Sequence, residues 1–218
     1  MKRIVLVLVP LLLLVEMASA QSNSETAQTW SFESAPGNFN NMPPDFADNP
    51  FGNPMGTTPA ASWGVDQGDG ALFIPPGLYV DFVIPNDGHV DRRKNVLANF
   101  VYRMVNSQGN PIAINPAQVT VTGGGGNVAH VISASPQPGS GPGTMYLLMR
   151  FDLSICPTQE TVHIPGPPSG GSLYLKNVDI HTNCPAVPGT GPVGLAALAL
   201  LLGSASLFTL RWRRSLAG

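Results

Sequence analysis

Two aspartates in a short glycine-containing segment are the best candidates for metal binding. The segment Asp66-Gln-Gly-Asp69-Gly places two carboxylates in one loop. Loops of this kind suit calcium, a hard cation that prefers carboxylate and carbonyl oxygens. The segment lacks the alternating ligands and the terminal Glu of an EF-hand loop, so an ordinary turn is the alternative. Asp179 is either a further ligand of such a site or a solvent-facing strand residue. We expect no other cofactor.

Aromatic rings could bind sugars, because flat rings stack on sugar faces. Tyr79 and Tyr174 are the candidates, since each lies opposite an alternation of apolar residues and should be exposed. The other large rings, among them Trp30, Trp63 and Tyr102, are expected in the core or at its rim.

The spacing of the remaining reactive residues matches no catalytic motif. The histidines are far apart in the sequence and form no HExxH pair: His89, His130, His163 and His181. The glycines at 123–126 are not followed by the Lys-Ser/Thr of a phosphate-binding loop, and there is no GxSxG. We therefore predict a protein that is not an enzyme and assign no catalytic residue, with a secreted hydrolase as the alternative class.

Cys156 and Cys184 are the only cysteines. If the chain is exported, such an even pair predicts a disulfide. A metal or catalytic role is the alternative, but neither residue lies in a CxxC motif.

The apolar residues of the central region repeat every second position, which is typical of strands with one buried face. Leu78, Val80, Phe82 and Ile84 alternate with Tyr79 and Asp81, for example. Further strands are predicted at 29–33, 61–65, 71–74, 96–105, 119–122, 128–134, 145–153, 161–164, 173–175 and 178–182. Because Gly/Pro-rich turns separate these runs, the sequence predicts an all-β antiparallel β-sandwich or jelly roll.

The ends of the chain divide it into four parts. Residues 1–20 read as a signal peptide, 21–58 as an irregular segment with one strand, 59–187 as the sandwich body and 188–218 as a tail. We expect strand 29–33 to belong to the body and residues 21–28 to be disordered.

Residues 21–187 contain six Lys/Arg and twelve Asp/Glu, a net charge of −6, which disfavours nucleic acid as a partner. The one basic cluster, Arg92-Arg93-Lys94, is predicted to be a solvated loop.

The amino-terminal signal combines Lys2 and Arg3 with an apolar run and small residues at Ala18 and Ala20. These features predict cleavage by signal peptidase before Gln21. An uncleaved anchor is the alternative, but the run is short and contains Pro10.

The tail contains eighteen uncharged residues at 193–210, about 27 Å of helix at ~1.5 Å per residue, which is enough to cross a bilayer core. The arginines that follow, Arg211, Arg213 and Arg214, should remain in the cytoplasm. A plain type I membrane anchor would have the same pattern. A GPI signal would not end in arginines.

Hinge, apolar helix and terminal arginines together resemble the carboxy-terminal sorting signals of the PEP-CTERM and IPTL-CTERM class of Gram-negative bacteria. The matching hinge residues are Pro188, Gly189, Gly191 and Pro192, although Pro-Glu-Pro is missing. The resemblance implies transient anchoring in the inner membrane and cleavage near 188–192 by an exosortase-like protease. The protein would then reach the cell envelope, the outer surface or the extracellular matrix.

The strand layout of the body is similar to jelly-roll, carbohydrate-binding-like domains of secreted bacterial proteins. A first strand with Trp30 and Phe32 and a last strand with Val178 and Ile180 contribute to this likeness. It implies an extracellular polysaccharide as a candidate partner. Fold likeness alone does not establish sugar binding.

Overall fold

The computed structural model describes residues 24–32, 41–59, 65–66, 70–89, 92–168 and 170–185. These residues belong to one compact unit, Ser24–Pro185. The predicted signal peptide, the hinge, the apolar segment 193–210 and the terminal arginines lie outside the described residues. Within the described ranges, no helix has the length and apolar character needed to cross a membrane.

The described part of the chain is built from strands and two short 3-10 turns. In chain order the strands are β1 Ser24–Ser31, β2 Phe46–Asp48, β3 Met55–Thr57, β4 Val65–Asp66, β5 Ala71–Ile74, β6 Tyr79–Pro85, β7 Lys94–Val105, β8 Thr120–Gly123, β9 His130–Pro138, β10 Thr144–Leu153, β11 Gln159–Pro165 and β12 Ser172–Cys184. The turns are Pro116–Gln118 and Gly124–Gly126.

Two antiparallel sheets pack as a sandwich. The larger sheet has the order β2-β1-β12-β7-β10-β9, and β5 pairs with both β12 and β4. The smaller sheet has the order β3-β6-β11-β8. The predicted all-β antiparallel sandwich is therefore confirmed for this part of the chain.

The core lies between the two sheets and is formed by the alternation seen in the sequence. On β6 the buried residues are Val80, Phe82 and Ile84, as predicted. Trp30 of the larger sheet packs against Phe82 of the smaller one, with ring centroids 4.7 Å apart. Burying apolar surface contributes about 25 cal/mol per Å², so the packing of these side chains between the sheets stabilises the fold.

The last strand differs from its prediction. β12 is continuous over Ser172–Cys184, whereas the sequence pattern predicts two shorter strands. Its pairing with β7 shifts register between Leu175 and Asn177. A bulge of this kind inserts one residue into a strand and interrupts the two-residue period. Leu175 and Val178 are consequently both buried although they are three positions apart.

The amino-terminal segment is also more regular than predicted. β1 begins at Ser24 and pairs with β12 along its whole length, so the expectation of disorder through Gln28 is wrong from Ser24 onward. The buried positions of β1 include Thr26 and Gln28. Because these residues are polar, the sequence of β1 does not show the apolar alternation that is typical of a half-buried strand. Segment 21–58 also contains β2 and β3, short strands that the pattern does not predict.

Candidate functional site

A polar cluster is buried among the apolar residues between the sheets. We call Asn86, Lys94, Glu160 and Thr182 the inter-sheet cluster. The side chains of Lys94 and Glu160 are both 0% exposed. Lys94 opens β7 and Thr182 lies on β12 of the larger sheet, while Asn86 follows β6 and Glu160 lies on β11 of the smaller sheet. The cluster therefore joins the two sheets through side chains.

Hydrogen bonds connect all four members of the inter-sheet cluster. Lys94 Nζ donates to Asn86 Oδ1 and, at 2.6 Å, to Thr182 Oγ1. Asn86 Nδ2 donates to Glu160 Oε2 at 2.7 Å and to the Ile84 carbonyl at 3.2 Å. Lys94 Nζ lies 3.4 Å from Glu160 Oε2. One carboxylate oxygen thus faces both the lysine nitrogen and the amide nitrogen.

Burial of Lys94 corrects the prediction for the Arg92-Arg93-Lys94 cluster. Arg93 is 73% exposed, as a solvated loop requires, but Lys94 is fully buried. β7 begins two residues before the apolar run at Val96, and Lys94 takes the inward position that precedes Val96 in the alternation. Because lysine is charged, the alternation of apolar residues does not identify position 94 as buried.

Desolvation dominates the electrostatics of the cluster. Burial lowers the pKa of Lys94, although the nearby carboxylates of Glu160 and Asp87 oppose the change. Burial raises the pKa of Glu160 to about 7, opposed by Lys94 and by hydrogen bonds from its neighbours. Both effects favour the uncharged forms. Burial therefore shifts the pair towards a neutral amine beside a protonated carboxyl.

Glu160 makes stability fall as pH rises from about 4.5 to about 7. In this window the folded protein retains a proton that the unfolded chain releases, so the linkage term is negative. We expect the free energy of unfolding of wild-type protein, relative to that of Glu160→Gln, to decline across the window and to be constant below it. Urea titrations of both proteins at several pH values measure this difference. Parallel curves for the two proteins would contradict the assignment.

The disulfide predicted from sequence is confirmed. Cys156 and Cys184 are bonded and buried, with Cα atoms 5.9 Å apart. Asp87 Oδ1 lies 3.4 Å from Cys156 Sγ, and Asp87 Oδ2 lies 3.0 Å from His89 Nε2. Asp87 and the two sulfurs are the one metal-like grouping among the described residues. Because the sulfurs are bonded to each other, they are not free to act as thiolate ligands.

The two candidate tyrosines lie on different sheets. Tyr79 on β6 is 36% exposed, and its ring centroid is 4.8 Å from that of His163. Tyr174 on β12 is half-buried beneath the Arg103 guanidinium, which is 4.4 Å from the ring centroid. Tyr79 and Tyr174 therefore do not form a single binding surface. Trp30 and Tyr102 are fully buried, as expected.

The calcium candidates are only partly described. The backbone of Asp66 pairs with Ala71, whereas Asp69 lies outside the described residues. Asp179 Oδ2 is 3.5 Å from Asn99 Nδ2 on the neighbouring strand. Asp179 thus occupies a half-buried position on β12. The signal-cleavage residues and the sorting-tail residues also lie outside the described residues.

A groove of about 680 Å³ crosses the outer side of the larger sheet. Its lining includes charged and amide side chains of Glu25, Asp48, Asn95, Arg150, His181 and Asn183, with Leu97 and Ile132 as apolar contacts. Asn183 Nδ2 donates to Glu25 Oε1 at 3.1 Å, and its buried Oδ1 has no hydrogen-bond partner in the structure. Sequence reasoning missed the groove because strand pairing alone unites these residues. The outward polar positions of β7, β10 and β12 were the available signal.

Comparison with known proteins gives little further guidance. No family model and no curated protein matches the chain. A solved GH87 alpha-1,3-glucanase catalytic domain is 14% identical with a TM-score of 0.28, and the match covers 77% of this chain but only 29% of the glucanase chain. An envelope protein of White Spot Syndrome Virus is 11% identical over 76% of this chain and 98% of its own, with a TM-score of 0.20. A cleaved adhesin domain of Lys-gingipain from Porphyromonas gingivalis is 14% identical over 74% and 98%, with a TM-score of 0.25.

Proposed function

We propose that the chain is an exported, non-enzymatic protein of the cell surface or extracellular matrix. The single observation that carries the proposal is the buried Cys156–Cys184 disulfide. Structural disulfides form and persist mainly in oxidising compartments outside the cytosol. An exported destination agrees with the predicted signal peptide. Delivery would proceed through the tail, with cleavage near 188–192 by an exosortase-like protease.

A jelly roll is the finer description that we propose for the sandwich. The central strand order β1-β12-β7-β10 faces β6-β11-β8 in the other sheet. Between β1 and β12 the chain passes from one sheet to the other before and after each strand of the smaller sheet, which are β3, β6, β8 and β11. Repeated crossing between two antiparallel sheets is typical of jelly rolls.

Mass spectrometry of both ends of the native mature protein tests the proposal. We expect the chain to begin at Gln21 and to end between Pro188 and Pro192. Export without tail cleavage, with 193–210 retained, would contradict the sorting model and favour a plain type I anchor. Retention of the whole amino-terminal segment in a cytosolic protein would contradict export altogether.

A glycan-binding surface module is the second candidate, favoured by the groove on the larger sheet. Carboxylate, amide and guanidinium groups along the groove can each form hydrogen bonds with sugar hydroxyls. Leu97 and Ile132 add apolar contact area. The groove volume also lies within the range of small-ligand sites, about 300 to 1,000 Å³.

Arg150→Ala is expected to weaken oligosaccharide binding about tenfold or more, because a hydrogen bond to a charged group contributes about 1.5 to 3 kcal/mol. Glycan-array screening of the exported protein would identify a ligand, and calorimetry would measure its affinity. Arg93→Ala is the matched control, since this exposed arginine does not line the groove. Equal binding by both variants, or no binding by wild-type protein, would contradict the candidate.

A further inference from the structure

Three residues of the inter-sheet cluster form an arrangement that can make a covalent bond. A buried amine, a carboxamide and a carboxyl group are in mutual contact: Lys94, Asn86 and Glu160. Lys94 and Glu160 are completely buried and Asn86 is 7% exposed. Neither export nor surface binding requires such a group. We propose that Lys94 and Asn86 form an intramolecular amide crosslink, with Glu160 transferring the proton.

The approach of the two reacting groups supports the bond. Amine attack requires the nitrogen to come within about 3 to 3.5 Å of the carbonyl carbon. Lys94 Nζ contacts Asn86 Oδ1, the atom bonded to that carbon. The backbone of both residues is held in place, since Lys94 begins β7 and the Asn86 N–H donates to the Thr158 carbonyl at 2.8 Å. The amine therefore needs only a small displacement to reach Cγ.

The reaction balances without a cofactor. Neutral Lys94 Nζ attacks Asn86 Cγ, the Nζ–Cγ bond forms, the Cγ–Nδ2 bond breaks, and Nδ2 leaves as ammonia. One proton passes from Nζ to Nδ2 through the Glu160 carboxyl. The geometry fits this relay, because Oε2 is 3.4 Å from Nζ and 2.7 Å from Nδ2. General acid–base transfer needs contacts of about this length.

The buried environment of the inter-sheet cluster favours the forms of Lys94 and Glu160 that the reaction requires. A desolvated lysine is a better nucleophile because more of it is neutral. The direction of the pKa change at Lys94 and at Glu160 agrees with a neutral amine beside a protonated carboxyl. Thr182 Oγ1 lies 3.5 Å from Asn86 Oδ1 and can support negative charge as it develops there. Exclusion of water limits competing hydrolysis.

Peptide mapping of the exported mature protein tests the crosslink. After reduction, trypsin should release the peptide that ends at Arg92 joined to the peptide Lys94–Arg103, because an amide at Nζ blocks cleavage after Lys94. The joined pair should weigh one ammonia less than the sum of its parts. A pyroglutamate at Gln21 also loses ammonia, so the joined peptide, not the intact mass, decides. Separate peptides with cleavage after Lys94 would overturn the proposal.

Variants assign the roles within the crosslink. Lys94→Met and Asn86→Ala should abolish the joined peptide, whereas Glu160→Gln should reduce its yield at least tenfold. Asn95→Ala is the matched control, since Asn95 is adjacent to Lys94 but exposed on the outer face, and should leave the yield unchanged. Full yield in Glu160→Gln would overturn the proton-transfer role. If a variant fails to fold, the wild-type peptide map still decides whether the bond exists.

Discussion

Lys94→Met is expected to lower the free energy of unfolding by about 3 to 5 kcal/mol relative to wild-type protein in which Lys94 and Asn86 have not yet reacted, above about pH 7, where Glu160 is ionised. This is the usual loss when one partner of a buried ion pair is removed. Methionine resembles lysine in length, so the change removes the amine without opening a large cavity. Glu160 would remain fully buried without its cationic neighbour, and Asn86 Oδ1 and Thr182 Oγ1 would lose a donor. Urea unfolding followed by tryptophan fluorescence measures the difference, because Trp30 is in the core.

Two further proteins isolate the electrostatic contribution. Arg93→Met makes the same kind of change one residue earlier, at an exposed side chain whose ion pair with Asp152 spans 3.9 Å. It should alter stability by less than about 1 kcal/mol. Adding Glu160→Gln to Lys94→Met should recover much of the loss, because no charge then remains buried. Equal effects of Lys94→Met and Arg93→Met would show that the buried pair contributes nothing.

The fold could be predicted because most strands obey one physical rule. Alternation of apolar residues reports which face of a strand is buried, and on β6 the buried residues are the predicted ones. The disulfide could also be predicted, since the chain has only two cysteines. The bulge in β12 could not, because one inserted residue shifts the alternation and makes a single strand look like two.

The inter-sheet cluster lay beyond the sequence argument for a different reason. Its members are separated by up to 96 positions, from Asn86 to Thr182, and strand pairing within each sheet together with the packing of the two sheets brings them into contact. Charged residues are usually placed at the surface by sequence reasoning, since they are rarely buried without a partner. Lys94 and Glu160 satisfy that condition through each other. The pairing of β7 with β12 places Lys94 near Thr182, the pairing of β11 with β6 places Glu160 near Asn86, and the packing of the two sheets brings these two pairs together.

Removing the disulfide by Cys156→Ser with Cys184→Ser is expected to destabilise the protein by about 3 to 4 kcal/mol on the chain-entropy model. The bond joins residues 28 positions apart and therefore restricts the unfolded chain. It connects the segment between β10 and β11 to the end of β12, which is the strand that pairs with β1, β5 and β7. Urea unfolding of the oxidised wild-type protein and of the double variant measures the loss.

Reduction of the wild-type protein separates the effect of losing the disulfide from the effect of introducing two serines. If restriction of the unfolded chain is the cause, reduced wild-type protein should lose nearly as much stability as the double variant. The serines should add a smaller loss, because both positions are buried and each hydroxyl needs a hydrogen-bond partner. Full stability of the reduced protein would contradict the entropic explanation. It would also remove the reason for expecting the fold to depend on an oxidising compartment, and with it the structural support for export.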